Sequence, residues 1–206
     1  MNPIRLTVVA ATLAAASLLQ ACAPLVVGGA VVGGSLMAID RRTSGAQVED
    51  QAIELKAGAR VRELATLGNV NVTSYNRMVL ISGEVPSEDE KRKVEDAVSR
   101  LDNVRSVVNE LAVAGNASLG SRSSDTVLSA KIKATFVDAK DLQANALKVV
   151  TERGIVYLMG RVTEREATRS ANLAATVPGV QKVVRVFEII SEEELTGLQP
   201  KPAPAR

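Results

Sequence analysis

The chain has 206 residues, of which 46% are hydrophobic and 23% are charged, and its formal net charge is +2. These values are typical of a folded protein with one or two small domains. The near balance of charge argues against a nucleic-acid partner, which needs a strongly basic face. The sequence has no histidine, which excludes Ser-His-Asp and Cys-His catalysis and His-containing zinc sites. The scattered carboxylates form no acid/base pair, so we predict no enzymatic activity, cofactor or metal.

The first 22 residues are typical of a lipoprotein export signal. Arg5 supplies the positive charge at the start, and the apolar run Leu6–Leu19 is too short to cross a membrane. The segment Leu19-Gln20-Ala21-Cys22 resembles a lipobox, in which the chain is cut before an acylated cysteine. We therefore expect residues 1–21 to be removed and Cys22 to carry acyl chains. The alternative, a buried cysteine after an uncleaved helix, is disfavoured because Cys22 directly follows the apolar run.

Residues 22–46 are expected to form the lipidated N-terminus and a glycine-rich tether. Each glycine of the two Gly-Gly pairs in residues 25–39 weakens a helix by about 1 kcal/mol relative to alanine. Two interpretations remain open: a pliable tether, which we favour, or a segment that packs on lipid or on another copy through its small residues. Residue 23 is Ala, whereas in enteric bacteria Asp at this place marks retention in the inner membrane. The N-terminus therefore points to the outer membrane.

An internal repeat organises the rest of the chain. The segment Val72–Val85 aligns with Val149–Val162 at an offset of 77 residues, and their apolar positions coincide. Each segment leads into an S/T-x-x-E capping box, which starts a helix at Ser87 or Thr163. Each copy has the pattern of helix, strand, strand, helix, strand. The sequence therefore predicts an α+β fold of two tandem αββαβ modules, each a three-stranded mixed sheet packed on two helices.

The boundaries of the modules follow from changes in composition. A Gly/Ser-rich stretch separates the two copies, and three glutamates followed by a Pro-rich end come after the second copy. We predict module 1 at 47–114, a linker at 115–123, module 2 at 124–191 and a disordered tail at 192–206. In module 2 we expect the first helix to bury Leu128, Ile132 and Phe136. We expect Tyr75 in module 1 and Tyr157 in module 2 to be packing residues on strands.

The glycine motifs of the two copies resemble those of the BON domain, the bacterial osmotic-stress and nodulation module. Gly160-Arg-Val162 and Pro178-Gly-Val180 match its pattern in the second copy. The first copy keeps Gly83-Glu-Val85 but has Asp102-Asn-Val104, so its second glycine is missing. Two such modules behind a lipobox resemble the dual-BON-domain outer-membrane lipoproteins, and this resemblance covers the chain from the lipobox to about residue 190.

The resemblance implies a lipid-anchored outer-membrane protein that faces the periplasm and supports outer-membrane integrity. It also implies that module 2 binds anionic phospholipid and that the protein associates with cell-division sites and envelope assembly proteins. The candidate lipid-binding residues are on the first helix of module 2: Val127, Lys131, Lys133 and Ala134. An apolar residue there can enter the acyl region while lysines reach headgroup phosphates, each contributing about 1 kcal/mol near an anionic surface.

Two other interpretations of the same residues stay open. In the first, which the residues by themselves favour, the helix face that carries Val127 is a solvated surface without a ligand. The protein as a whole is alternatively an adaptor that docks outer-membrane assembly or cell-wall remodelling factors, with lipid contact only localising it. The basic triplet Lys91-Arg92-Lys93 and the pair Arg165 and Arg169 are interpreted as solvated helix faces, since the residues of the triplet point to different sides of a helix.

Overall fold

The computed structural model describes residues 40–64 and 67–198. The predicted signal peptide, Cys22, residues 22–39 of the predicted tether and the last eight residues of the tail lie outside this range. Within the described residues, no helix combines the length and the apolar character that a membrane span requires.

Module 1 contains two helices and one mixed sheet. Its elements are α1 (Ser44–Leu64), β1 (Asn69–Tyr75), β2 (Met78–Val85), α2 (Glu88–Ser99), β3 (Ser106–Asn109) and β4 (Ala112–Val113). The central strand β2 pairs antiparallel with β1 and parallel with both β3 and β4.

Module 2 repeats this arrangement and ends in an additional helix. Its elements are α3 (Leu119–Asp138), a 3-10 turn (Ala144–Ala146), β5 (Leu147–Glu152), β6 (Ile155–Val162), α4 (Glu164–Thr176), β7 (Lys182–Ile189) and α5 (Glu192–Leu198). Strand β6 is central, antiparallel to β5 and parallel to β7. The predicted α+β class and the two tandem modules are therefore confirmed.

Each module has its own core between its helices and one face of its sheet. In module 1, α1 buries Ile53, Ala57 and Val61 against β2 and α2. In module 2, α3 buries Leu128, Ile132 and Phe136, the three residues predicted from the sequence. The two cores are almost entirely aliphatic, as expected for a chain with 2% aromatic residues.

A third hydrophobic cluster joins the two modules through the opposite faces of their sheets. Successive strand residues point to opposite faces, so β2 directs Val79 and Ile81 into the module 1 core and Leu80 away from it. Leu80 packs in one buried cluster with Tyr75, Met78, Tyr157, Met159 and Val186. The sheets therefore lie back to back with the helices outside, and the tyrosines are packing residues at this interface.

Equivalent tight turns close the hairpins of the two modules. The backbone φ is positive at both central residues of each turn, 50° and 66° at Asn76 and Arg77, and 54° and 73° at Arg153 and Gly154. Two-residue turns of this kind match the right-handed twist of paired strands.

The repeated Gly-x-Val motif reflects a close approach between the strands of each hairpin. A Cβ atom on Gly83 would overlap the carbonyl oxygen of Asn69, and one on Gly160 would overlap that of Ala146. The second glycine of the motif behaves differently. Gly179 has φ of 105°, and Asn103 takes its place in module 1 with φ of 69°. Asparagine tolerates the left-handed region better than most residues, so the turn survives without glycine.

Four boundaries differ from the sequence prediction. Helix α1 begins at Ser44, inside the expected tether of residues 22–46. Helix α3 begins at Leu119, inside the expected linker, because the Ser118 hydroxyl caps it by accepting a hydrogen bond from the Ser121 N–H. The first seven residues of the tail expected to be disordered instead form α5. Its Leu195 is buried, and its first turn is acidic, which favours a helix N-terminus. The third strand of module 1, expected as one strand, divides into β3 and β4, and the break lies opposite Ser82 and Gly83.

The two predicted capping boxes are not equivalent. In module 2 the Thr163 side chain and the Glu166 carboxylate exchange hydrogen bonds with each other's backbone N–H, which completes the box. In module 1 the Ser87 hydroxyl accepts a hydrogen bond from the Glu90 N–H. Among the described contacts, the Ser87 N–H does not donate to the Glu90 carboxylate in return. Glu90 has a buried carboxylate oxygen without a hydrogen-bond partner.

Candidate functional site

Helix α3 is fixed to module 2 along one side. Besides its three apolar core residues, it buries Asp125, which is 7% exposed. The two carboxylate oxygens of Asp125 accept hydrogen bonds from the N–H groups of Arg153 and Gly154, each at 2.8 Å. This contact holds the hairpin turn against the helix and fixes the rotation of α3 about its own axis. The side of α3 opposite Asp125 therefore faces away from the core.

The side of α3 that points away from the core carries a set of exposed apolar residues, with the polar Ser123 and Thr126 among them. At 3.6 residues per turn, the positions opposite the buried stripe include five exposed apolar residues. We call these five residues the outward face of α3: Leu119, Val127, Ala130, Ala134 and Val137. Leu119, Val127 and Val137 are 81%, 55% and 71% exposed.

Two lysines border the outward face on different sides. Lys131 lies beyond Val127 and Ala134 around the helix, and Lys133 lies on the other flank, beside Ala130 and Val137. Both side chains are exposed. Their flexible stems can extend along an apolar surface while their ammonium groups stay in a polar layer.

A groove of about 890 Å³ runs beside the first half of α3. It lies between the helix, the segment before it, the β5–β6 turn and the turn that leads to β7. Val127 and Lys131 line it, together with Arg153, Gln181 and four serines, Ser118, Ser121, Ser123 and Ser124. The groove therefore places the Lys131 side chain and several polar residues next to an exposed apolar residue, while the Arg153 guanidinium lies 3.7 Å from the Glu84 carboxylate.

The structure brings the predicted lipid-binding residues together on one helix, but not all on one surface. Val127 and Lys131 belong to both the helix face and the groove, whereas Lys133 and Ala134 do not line the groove. The sequence reasoning missed Leu119 because it assigned that residue to a linker, and it missed Ala130 and Val137 because it followed a single stripe through Val127. Continuing the 3.6-residue period from Ser118 would have found them. Cys22, the predicted acylation site, lies outside the described residues.

Charged groups connect the two modules at the rim of their interface. Asn71 donates a hydrogen bond to Glu152 at 3.1 Å, and Lys148 lies 2.8 Å from Glu54. Burial raises the pKa of Glu152, and the nearby Glu84 carboxylate acts in the same direction.

The basic groups interpreted as solvated are on exposed helix surfaces. Lys93 and Arg92 form ion pairs with Asp89, one turn before them on α2. Arg169 pairs with Asp141, and Arg165 lies 3.5 Å from Glu192. Exposed pairs of this kind contribute little to stability.

The fold defines a class of protein: two αββαβ modules packed sheet to sheet, each with one helix held to its hairpin turn by a buried aspartate. The BON domain family matches residues 49–115 and 124–191. The chain belongs to this family and contains two copies of the domain.

Several known proteins are similar to most of the chain. The outer membrane lipoprotein DolP of Haemophilus influenzae is 36% identical over 182 residues, which cover 86% of this chain and 93% of that protein. A 21 kDa hemolysin of Actinobacillus pleuropneumoniae is 28% identical, covering 74% of this chain and 80% of the hemolysin. The osmotically-inducible protein Y of Escherichia coli is 26% identical, covering 66% of this chain and 70% of that protein.

Proposed function

We propose that the chain is an outer-membrane lipoprotein, acylated at Cys22 and facing the periplasm, whose second module binds anionic phospholipid. In this role it supports outer-membrane integrity, including at cell-division sites. The lipobox and the similarity to a protein named as an outer membrane lipoprotein support the anchoring. We propose no catalytic function, in keeping with the absence of histidine and of a carboxylate pair suited to acid/base chemistry.

The observation that carries the lipid-binding proposal is the outward face of α3. A surface helix of a folded protein normally directs polar residues away from its core. Here Leu119, Val127 and Val137 are largely exposed on that side. Apolar residues bordered by lysines suit the boundary between acyl chains and phosphates. The apolar side chains are buried among the acyl chains while the lysines are attracted to the phosphates, and the two effects act together.

The adjoining groove supports the preference for an anionic headgroup. Lys131 supplies positive charge there, and Ser123 and Gln181 offer polar side chains beside it. Hydrogen bonds between cationic side chains and phosphate oxygens are stronger than those between neutral groups. A phosphate seated beside Lys131 would leave Val127 directed towards the acyl chains.

The acyl anchor makes weak binding by α3 sufficient. A protein held at the membrane by Cys22 meets its lipid in an intramolecular step, at an effective concentration in the millimolar range for a short flexible linker. The moderate size of Val127 is therefore compatible with lipid docking in the membrane.

An NMR titration with phosphatidylglycerol micelles tests the proposal, with phosphatidylcholine micelles as the comparison. We expect chemical-shift changes at residues 119–138 and along the groove, mainly with the anionic lipid. Val127→Glu should abolish these changes because it places a carboxylate among acyl chains and phosphates. The matched control is Leu55→Glu on α1, where an exposed leucine is 76% accessible. Unchanged binding by Val127→Glu would exclude α3 as the lipid site.

A second candidate function, that of a protein-interaction adaptor, rests on module 1. Helix α1 exposes Val48 and Leu55 at a spacing of two turns, on the side of the tandem opposite to α3. In this case Leu55→Glu would weaken the capture of an envelope protein in a pull-down, while Val127→Glu would leave the capture unchanged. The reverse pattern would favour lipid binding through module 2.

A further inference from the structure

Arg41 precedes module 1 in the chain but binds module 2. Its guanidinium group makes two parallel hydrogen bonds to the Glu166 carboxylate at the start of α4, at 2.7 and 2.8 Å. The side chains of both residues are only 6% exposed. Glu166 at the same time caps α4 through the Thr163 N–H. The segment before the first module is thus held by a buried ion pair on the second.

Further contacts hold the same segment on both modules. Arg41 donates to the carbonyl oxygen of Arg161 at 2.8 Å, and Arg161 donates to the carbonyl oxygen of Arg41 at 3.0 Å. The next residue, Arg42, binds module 1, where it lies 2.7 Å from Asp50 and over the ring of Tyr75. Two adjacent arginines therefore bind different modules. We call this segment, Asp40–Arg42, the clasp.

The clasp is more than a surface ion pair. Exposed pairs contribute little, whereas breaking a buried pair leaves a charge without compensation and is strongly unfavourable. A bidentate arginine–carboxylate pair also fixes the relative orientation of its partners. Glu166 already completes the capping box of α4, and Arg41 adds no apolar residue to either core. The main effect of Arg41 is to fix where the chain enters the tandem.

We propose that the clasp sets the point at which the membrane tether leaves the tandem, which makes Arg41 a positioning residue for the outward face of α3. This inference rests on the proposed function. Cys22 lies 18 residues before Asp40, and a chain of that length reaches at most about 60 Å. With the clasp closed, the tether starts from the module that docks lipid. Without the Arg41–Glu166 pair, Arg42 still binds module 1, so the tether starts from module 1 instead, and the tandem turns more freely at the membrane.

The first test is trypsin cleavage after Arg42 in the full-length protein in neutral detergent micelles. Glu166→Gln removes the charge but preserves the helix cap, since glutamine also serves at that position of a capping box. Its matched control is Glu164→Gln, an exposed residue of the same turn that pairs with Arg185. We expect cleavage about tenfold faster in Glu166→Gln and unchanged in Glu164→Gln. Arg41→Lys, which keeps the charge but not the paired hydrogen bonds, should lie between them. Equal rates in all variants would overturn the clasp.

The second test measures the orientation of α3 at the membrane. A nitroxide attached to Ser123→Cys reports its depth in vesicles of phosphatidylcholine and phosphatidylglycerol that carry the acylated protein. We expect one depth with the clasp closed and a broader distribution in Glu166→Gln. If cleavage responds to the variant but the depth does not, the positioning role is wrong. If the label never enters the bilayer even in the wild type, the proposed lipid binding fails, while the cleavage rates still decide whether the clasp exists.

Discussion

Asp50 and Asp125 perform the same structural task in the two modules. Asp50 on α1 accepts hydrogen bonds from the N–H groups of Asn76 and Arg77 at 2.7 and 2.8 Å. Asp125 on α3 binds the equivalent turn in the same way. Each aspartate thereby joins a first helix to its own hairpin. The repetition of this contact explains why the two modules hold their first helices alike despite limited sequence identity.

We expect Asp125→Ala to lower the free energy of unfolding by about 3 kcal/mol, because two backbone N–H groups lose a charged acceptor in a buried position. Asp50→Ala should cost more, since Asp50 also accepts from the Ser74 hydroxyl at 2.6 Å and pairs with Arg42. Urea denaturation followed by circular dichroism measures both values. Asp138→Ala, an exposed position at the end of α3, is the control and should change stability little. Equal losses in all three variants would contradict this role.

The two tyrosines of the chain both lie between the sheets, so their ionisation reports on this interface. Burial disfavours the phenolate and raises the pKa of Tyr75 and of Tyr157 to about 12. A group whose pKa is raised by folding stabilises the folded state fully at any pH below its pKa in the unfolded chain, which is near 10 for tyrosine. This contribution is lost as the pH rises towards the folded-state pKa of about 12. Absorbance at 295 nm should therefore show almost no phenolate at pH 10.5 in the folded protein. In 8 M urea the same titration should have its midpoint near pH 10. A folded-state midpoint near 10 would mean that the interface opens readily.

The glycines of the Gly-x-Val motifs should differ in their tolerance of alanine. Gly83→Ala combines overlap with the Asn69 carbonyl group and a φ of 112°, which side chains disfavour. Gly160→Ala causes only the overlap, with the Ala146 carbonyl group. We expect a loss of about 3 kcal/mol or more for Gly83→Ala and a smaller loss for Gly160→Ala. Gly115→Ala, where a Cβ meets no atom within 4 Å, is the matched control. Thermal unfolding of the three variants gives the order directly.

The periodicity of the sequence was sufficient to predict the fold within each module. The spacing of Leu128, Ile132 and Phe136 identified the buried side of α3, because local pattern and burial agree there. Composition was misleading at the ends of the elements. A stretch rich in glycine and serine indicated a linker, yet Ser118 caps a helix there. The glutamates after Ser191 indicated disorder, yet they lie in the first turn of a helix whose Leu195 is buried.

The relation between the modules was beyond local reasoning. Leu80 and Tyr157 appeared as strand residues, but nothing in their own segments shows that they meet across two sheets. Arg41 is a further example, since its partner Glu166 is distant in the sequence, and the residues around Glu166 predict only a capping box. Contacts of this range depend on how whole modules pack. The contact between Arg41 and the second module therefore became visible only in the structure.

A tryptophan at position 127 should strengthen lipid docking and report on it. The chain contains no tryptophan, so Val127→Trp would provide the sole indole signal. Tryptophan combines a large apolar area with an N–H donor and favours the membrane interface. Since Val127 is 55% exposed, the larger side chain should fit without disturbing the core of module 2. We expect several-fold tighter binding to phosphatidylglycerol vesicles and a blue shift of the fluorescence on binding.

The matched control for this variant is Leu55→Trp, which places the same indole on the exposed side of α1 in module 1. Its emission should stay at the wavelength of solvated tryptophan when anionic vesicles are added. Raising the salt concentration should weaken the binding of Val127→Trp, because Lys131 and Lys133 act through charge at the surface. A blue shift in Leu55→Trp but not in Val127→Trp would place the membrane contact on module 1. In that case the back-to-back packing of the sheets would direct α3 away from the bilayer and leave its apolar face free for a protein partner.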